Sequence, residues 1–267
     1  MELLAQELRY GYAADLVVLD GIDLTLKSGC LTMVIGPNGT GKSTLIRILA
    51  GLVAPWSGAI GLNSGTGPLQ DLVLMNPRER ARNVAYLPQR VAEAEGYRVE
   101  QIVALGRFPH QNWWSLPSPE DEQIISAALA DVDAAHLAGR FFSELSGGEQ
   151  QMVLLAGILA QRSRILLLDE PGASLDIHRQ AILFRKLKQM ACADKAICCV
   201  THELNMAAQF ADQIYLMDGG RVSCSGTANE VLTPERLRHS YGEDVRVIQD
   251  PSSGRPIVVP CAGGRND

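Results

Sequence analysis

Nearly uniform apolar runs of four or five residues recur along the chain, at 31–35, 84–87, 165–168, 196–200 and 214–217. Runs of that length with no polar alternation predict strands buried on both faces. The helical spacing between them makes the sheet mostly parallel, covered by helices on either side, in an α/β fold. Alternation over 16–26, and the turn Asp218-Gly219-Gly220 before Arg221-Val222-Ser223, predict antiparallel strands flanking that sheet. From about 91 to 145 no strong strand occurs, and Ile124, Ile125, Ala128, Leu129 and Val132 keep helical spacing, so an inserted helical subdomain is expected there. Thr227-Ala228-Asn229-Glu230 is a capping box and Pro234 suits a first helical turn. Asp250 to Arg255 then turns the chain into a last extended piece, and Gly263 to Asp267 is expected to fray.

The first apolar run leads into Gly36, Pro37, Asn38, Gly39, Thr40, Gly41, Lys42, Ser43 and Thr44, which fill every required position of G-x-x-x-x-G-K-[ST]. A strand before and a helix after this loop aim its backbone amides inward. The helix N-terminus then adds its partial positive charge to that of Lys42, making a cradle for nucleotide phosphates. Ser43 is placed to give an oxygen to Mg2+. A plain glycine-rich turn is the competing explanation, and the strand and helix context disfavours it.

Composition narrows the class. The 267 residues are 46% hydrophobic, enough for a large core. The apolar stretch 152–160 is nine residues, far short of the roughly 20 that span a bilayer. The acidic start MELLAQE does not resemble a signal peptide, so a cytoplasmic protein is expected. The six cysteines show no C-x-x-C spacing and are expected to be buried small hydrophobes. A net charge of −6 without any basic block argues against nucleic acid as a partner.

Two further motifs add chemistry. The run 165–168 ends in Asp169 and Glu170: Asp169 suits a metal ligand and Glu170 a general base acting on water. Strands often end in acids, so this pair has weight only beside Lys42 and Ser43. Leu145-Ser146-Gly147-Gly148-Glu149-Gln150 opens an apolar helix and makes a second anion-binding N-terminus. One nucleotide needs one such cradle, so Ser146, Gly147 and Gly148 are expected to serve a nucleotide held by another subunit. Alone, the motif would read as an ordinary serine cap.

With these motifs the chain resembles the ATP-binding-cassette (ABC) ATPase family over nearly its whole length, which implies a RecA-like P-loop core using ATP and Mg2+. The resemblance assigns Tyr12 to adenine stacking, with Tyr10 close enough to compete. It assigns Gln89 in Tyr86-Leu87-Pro88-Gln89 to the loop that touches Mg2+ and links the γ-phosphate to the helical subdomain. Asp176 in Ser174-Leu175-Asp176 falls at the dimer interface, and His202 in Val200-Thr201-His202-Glu203 becomes the γ-phosphate switch histidine. Pro171-Gly172-Ala173 departs from the commoner Pro-Thr-Ser. The family's head-to-tail dimer implies that each site takes Lys42, Ser43, Gln89, Asp169, Glu170 and His202 from one chain and the Ser146 turn from the other.

Val103-Ala104-Leu105-Gly106-Arg107-Phe108-Pro109-His110, Thr201 to Ala208 and the pattern over 237–259 are similar to ATPases of iron-siderophore, haem and cobalamin importers. The resemblance implies a nucleotide-binding domain over 1–240, with a helical subdomain at about 91–160, and a tail over 241–267. It further implies a homodimer beneath two permease subunits at the cytoplasmic membrane face, supplied by an extracytoplasmic binding protein. Another importer subfamily is the nearest alternative, and a soluble non-transport ABC protein a more distant one. Trp113 and Trp114 suit either partner anchoring or packing.

Overall fold

The computed structural model describes residues 1–63, 65, 68–89, 96–111 and 118–261; Trp113, Trp114 and the Gly263 to Asp267 end lie outside them. The chain opens with an antiparallel pair, β1 (Glu2–Ala13) and β2 (Leu16–Lys27), then β3 (Leu31–Ile35) and α1 (Lys42–Leu49). Next come β4 (Ser57–Asn63), β5 (Gln70–Asp71), α2 (Pro77–Asn83) and β6 (Val84–Leu87). Helices follow: α3 (Val99–Ala104), a 3-10 turn at Leu105–His110, α4 (Pro119–Asp131) and α5 (Gly147–Ala160). The α/β alternation resumes with β7 (Ile165–Asp169), α6 (Ile177–Cys192), β8 (Ala196–Val200), α7 (Leu204–Phe210) and β9 (Gln213–Asp218). β10 (Arg221–Gly226), α8 (Ala228–Val231), α9 (Pro234–Tyr241), β11 (Val245–Gln249) and β12 (Pro256–Pro260) complete the chain.

Six strands form the main sheet in the order β10-β9-β3-β8-β7-β6, and all the pairings except β10 with β9 are parallel. A second sheet, β2-β1-β4-β5, is antiparallel. The uniform burial of β3, β7 and β8 follows from what covers each face. Met33, Ile35, Leu166, Leu168, Ile197 and Cys199 point into a core shared with the helices α3 to α7. Val34, Ile165, Leu167, Ala196, Cys198 and Val200 point into the other, shared with α1 and the antiparallel sheet. With both faces dry, apolar side chains fill nearly every position, Thr32 and Asp169 being the buried polar exceptions. The expected flank therefore includes β4 and β5 as well. β4 is broken by glycines and β5 is only Gln70-Asp71, so the apolar-run criterion passes over them.

Only Cys198 and Cys199 fit the expectation of buried small hydrophobes. Burial pushes the Cys198 thiol up to about 12, and Cys192 is exposed while Cys30, Cys224 and Cys261 are half-buried. All six are free thiols.

The helical insertion is pinned by a buried ion pair. Arg107 Nε donates to Asp121 Oδ1 at 2.7 Å and Nη1 to the Ala160 carbonyl at 2.8 Å, joining the 3-10 turn, α4 and α5 through one guanidinium. Close backbone contact permits this: a Cβ on Gly106 would lie 2.1 Å from the Gly157 carbonyl oxygen. The guanidinium, helped by Ser118, holds Asp121 down to about 2. That contribution is complete above the ordinary carboxylate value and is lost as pH falls toward 2. We expect Arg107→Met to destabilise the chain by about 3 kcal/mol at pH 7, because it strands a buried carboxylate. The deficit should shrink at pH 3, as Asp121 takes up a proton; chemical denaturation at both pH values checks this.

Candidate active site

Parallel pairing places the carboxyl ends of four neighbouring strands at one edge of the main sheet. Leu87 of β6 sits opposite Leu168, Asp169 of β7 opposite Val200, and Val34 of β3 opposite Val200. The loops leaving those ends carry Gly36 to Lys42, Gln89, Asp169-Glu170 and His202, so separations of up to about 166 residues in sequence collapse into one crevice.

The phosphate-binding loop needs its glycines for space as well as for dihedral freedom. A Cβ at Gly36, where φ is +149°, would stand 2.2 Å from the Met217 carbonyl oxygen; one at Gly41, the N-cap of α1 at φ +92°, would meet Leu19 at 2.7 Å. Lys42 is buried, and its Nζ donates to the carbonyls of Gly36 at 2.7 Å and Pro37 at 2.8 Å. Burial draws its pKa down, while the carboxylates of Glu170 and Asp169 oppose that shift. Thr40 Oγ1 donates to the Pro37 carbonyl at 2.9 Å, closing the loop on itself.

Ser43 Oγ donates to Asp169 Oδ1 at 3.2 Å. Asp169 is almost fully buried, which raises its pKa; the Ser43 bond works against burial, and Glu170 adds to it. A hydroxyl and a buried carboxylate are hard oxygen donors at the mouth of an anion cradle, a set that suits Mg2+ carried largely by substrate phosphates. Among the described residues no cluster of three or more His, Cys, Asp or Glu could hold a metal.

Glu170 is the convergence point. Its backbone is left-handed at φ +51°, with its amide donating to the Val200 carbonyl at 2.9 Å. Gln89 Nε2 donates to Oε2 at 2.7 Å, and His202 Nδ1 lies 3.4 Å from Oε1. Each carboxylate oxygen thus faces a different loop. His202 also approaches Glu203, with Nε2 3.3 Å from Oε1.

A crevice of about 570 Å³ runs from Glu170 and Gln89 past Lys42, Ser43 and Thr44 to Tyr12. That volume suits a small organic ligand. Tyr12 is exposed, with its hydroxyl 3.0 Å from Thr44 Oγ1. Tyr10 packs behind it, edge to face at 5.4 Å, and against Trp56 at 6.0 Å. Of the two candidates for base stacking, only Tyr12 presents its ring to the crevice. Leu16 and Val18 complete this apolar flank. The one sequence signal for them is Leu16-Val17-Val18, three apolar residues where strict alternation calls for a polar one.

Ser146, Gly147, Gly148 and Asp176 do not line the crevice. Ser146 caps α5 and is engaged by Glu149, whose Oε2 accepts from Ser146 N at 2.8 Å and Oγ at 2.7 Å. Asp176 caps α6, accepting from Arg179 N at 2.9 Å. A Cβ on Gly148 would stand 2.8 Å from Arg179. These two helix starts therefore form one surface apart from the phosphate-binding loop.

The model of a family described as ABC transporter matches residues 19–173. The hemin import ATP-binding protein HmuV of Pseudomonas fluorescens is 40% identical over 247 residues, covering 91% of this chain and 93% of that protein. The Probable siderophore transport system ATP-binding protein YusV of Bacillus subtilis is 36% identical over 261 residues, covering 97% and 93%. Among solved structures, a chain of an ABC transporter assigned to the metal-chelate type, in an inward-facing conformation, superposes with a TM-score of 0.82 at 28% identity. The match covers 97% of this chain and 96% of that one.

We expect Tyr12→Ala to weaken nucleotide binding by about 1–3 kcal/mol, the usual worth of one base–aromatic stack. Tyr12→Phe should retain most of it, and Tyr10→Ala should lower thermal stability more than affinity. Calorimetric titration with MgATP, alongside melting curves, separates the three.

Proposed function

The chain belongs to the ABC transporter family, and on that premise we propose that it is the ATP-hydrolysing subunit of a metal-chelate importer, working with a separate membrane permease. Its cargo class is ferric siderophore, haem or cobalamin, in keeping with the hemin and siderophore relatives. The observation that carries the hydrolytic part is the carboxylate of Glu170, held between Gln89 and His202 at the end of the phosphate crevice.

Glu170 takes the proton of the attacking water, and His202, beside it, meets the γ-phosphate. Lys42 is the cation of the cradle; binding substrate requires it to leave the Gly36 and Pro37 carbonyls for phosphate oxygens. Ser43, Asp169 and Gln89 are the residues that would hold Mg2+, whose charge offsets that of the phosphates. Because Ser146, Gly147, Gly148 and Asp176 stand outside the crevice, the reading gives them to the nucleotide of a second copy in a head-to-tail homodimer. Removing the γ-phosphate then removes the charge that joins the two copies.

The permease reading is supported by an apolar groove of about 500 Å³ beside Gln89. Pro88, Tyr97, Leu105, Leu154 and Ile158 line it, and Leu105 and Tyr97 stay exposed. A cytoplasmic helix seated there would press on the Gln89 loop and so sense Glu170. Among the described residues no helix is long and apolar enough to cross a membrane. We place the chain at the cytoplasmic membrane face, bound through two permease subunits and served indirectly by an extracytoplasmic binding protein. Residues 1–240 form the nucleotide-binding domain in this reading, with the helical subdomain at about 91–160 and the tail at 241–267.

Glu170→Gln should lower ATP turnover by at least about 100-fold, as loss of a general base does, and accumulate an ATP-bound dimer. Lys42→Ala should remain monomeric in MgATP. Equal monomer fractions for the two would sink the shared site. Pulled from detergent extracts of its native cells with MgATP, tagged Glu170→Gln should bring a multispanning permease. Recovery of ribosomes or DNA complexes without any membrane protein would discard the importer.

A further inference from the structure

The helix that follows His202 is held at both ends by the C-terminal hairpin. α7 is seven residues long, well under the roughly 12–15 that sustain an isolated helix. Its N-cap, Glu203, makes no side-chain capping bond. In place of a cap, Asn205 in the first turn reaches β12: its Oδ1 accepts from Val258 N at 2.8 Å and its Nδ2 donates to the Val258 carbonyl at 3.1 Å. Val258 pairs with Val247 across the hairpin, and its own amide and carbonyl point off the free edge, where Asn205 takes both as a neighbouring strand would. At the other end, Arg255 Nη1 donates to the Ala208 carbonyl at 3.1 Å and also bonds the Gln209 carbonyl. Those are the last carbonyls of α7, which lack helical partners and carry the negative end of its dipole.

The clasp has a direct path to the reacting groups. Only Glu203 separates α7 from His202, and the Glu203 amide donates to Thr201 Oγ1 at 3.0 Å, making 201–203 a tight turn. Any tilt of α7 carries that turn with it. His202 meets Glu170 at only 3.4 Å, so a shift of an ångström decides whether the two engage. Val258 is buried against the main core, with Val245 and Val247 packed beside it, which anchors the clasp to the sheet.

We infer that the β11–β12 hairpin sets the position of His202 through Asn205 and Arg255, and that Asn205 is a positioning residue for hydrolysis, a role resting on the ATPase reading above. It does not line the phosphate crevice, and its side chain bonds Val258. Its loss should misplace the histidine while leaving the phosphate cradle intact.

The test uses the full-length chain and MgATP, with Asn205→Ala and Arg255→Ala as independent openings of the clasp. For each we expect kcat to fall about tenfold with KM for ATP within about twofold, the pattern of a misaligned reacting group rather than lost binding. Amide exchange should quicken over 201–210 and stay unchanged over 36–44. Asn205→Asp, which keeps the acceptor for the Val258 amide, should recover part of kcat. In a His202→Ala background, followed in single turnover, neither change should reduce the rate further. An unchanged kcat, unchanged exchange over 201–210, or the same tenfold fall without His202 would overturn the inference. A wild-type chain with no ATP turnover even in complex with its permease would instead overturn the proposed function, and exchange at 201–210 would still decide whether the clasp holds the switch.

Discussion

Parallel backbone pairing of β6, β7, β8 and β3 is the constraint from which the remaining structure follows. Parallel strands all end at the same edge, so four loops that are distant in sequence must emerge side by side, and the register decides which residues face one another. Because β7 stops with Asp169 opposite Val200, Glu170 is the first residue clear of the sheet. Its left-handed backbone turns the carboxylate toward Gln89 and His202. A one-residue slip in that pairing would send the carboxylate to the opposite face of the sheet and dissolve the cluster.

Charge is managed differently on the two sides of the crevice. Lys42 and Asp169 are buried, and each pKa is drawn toward its neutral form. Both are therefore poised to gain from counter-charge: phosphate for the lysine, a cation for the aspartate. Backbone carbonyls of the loop accept from the lysine, and the Ser43 hydroxyl donates to the aspartate. Glu170, by contrast, has a partner for each oxygen. Under the proposed function, the cradle binds and the glutamate orients, the division of labour that hydrolysis of a bound phosphate needs.

Around this rigid edge the chain adds two elements held by a few polar contacts. The helical insertion is fixed by the Arg107 guanidinium, shared among three elements, with an apolar groove left open beside Gln89. The C-terminal hairpin is fixed by Asn205 and Arg255 on α7. Each meets a loop that reaches Glu170, the insertion through Gln89 and the hairpin through His202. Movement of either element therefore has a short mechanical route to the Glu170 carboxylate.

Much of this was legible in the linear pattern. Nearly uniform apolar runs marked β3, β6, β7, β8 and β9, since a strand dry on both faces is filled mostly by apolar side chains, and the glycine loop declared its anion because its spacing turns successive backbone amides inward. What the sequence could not resolve were choices made by distant neighbours. Tyr10 and Tyr12 look alike in the chain; the packing of Trp56 behind Tyr10 decides which ring faces the crevice. β4 and β5 owe their strands to pairing with β1 and with each other rather than to apolar runs. Arg107 reads as a surface charge until Asp121 and the Ala160 carbonyl close around it. Local pattern thus determined the strands and the phosphate loop, whose causes lie within a few residues. Only tertiary structure decided which aromatic faces the crevice, which charge is buried and which amide clasps the hairpin, because each depends on a partner that chain folding brings in from far away.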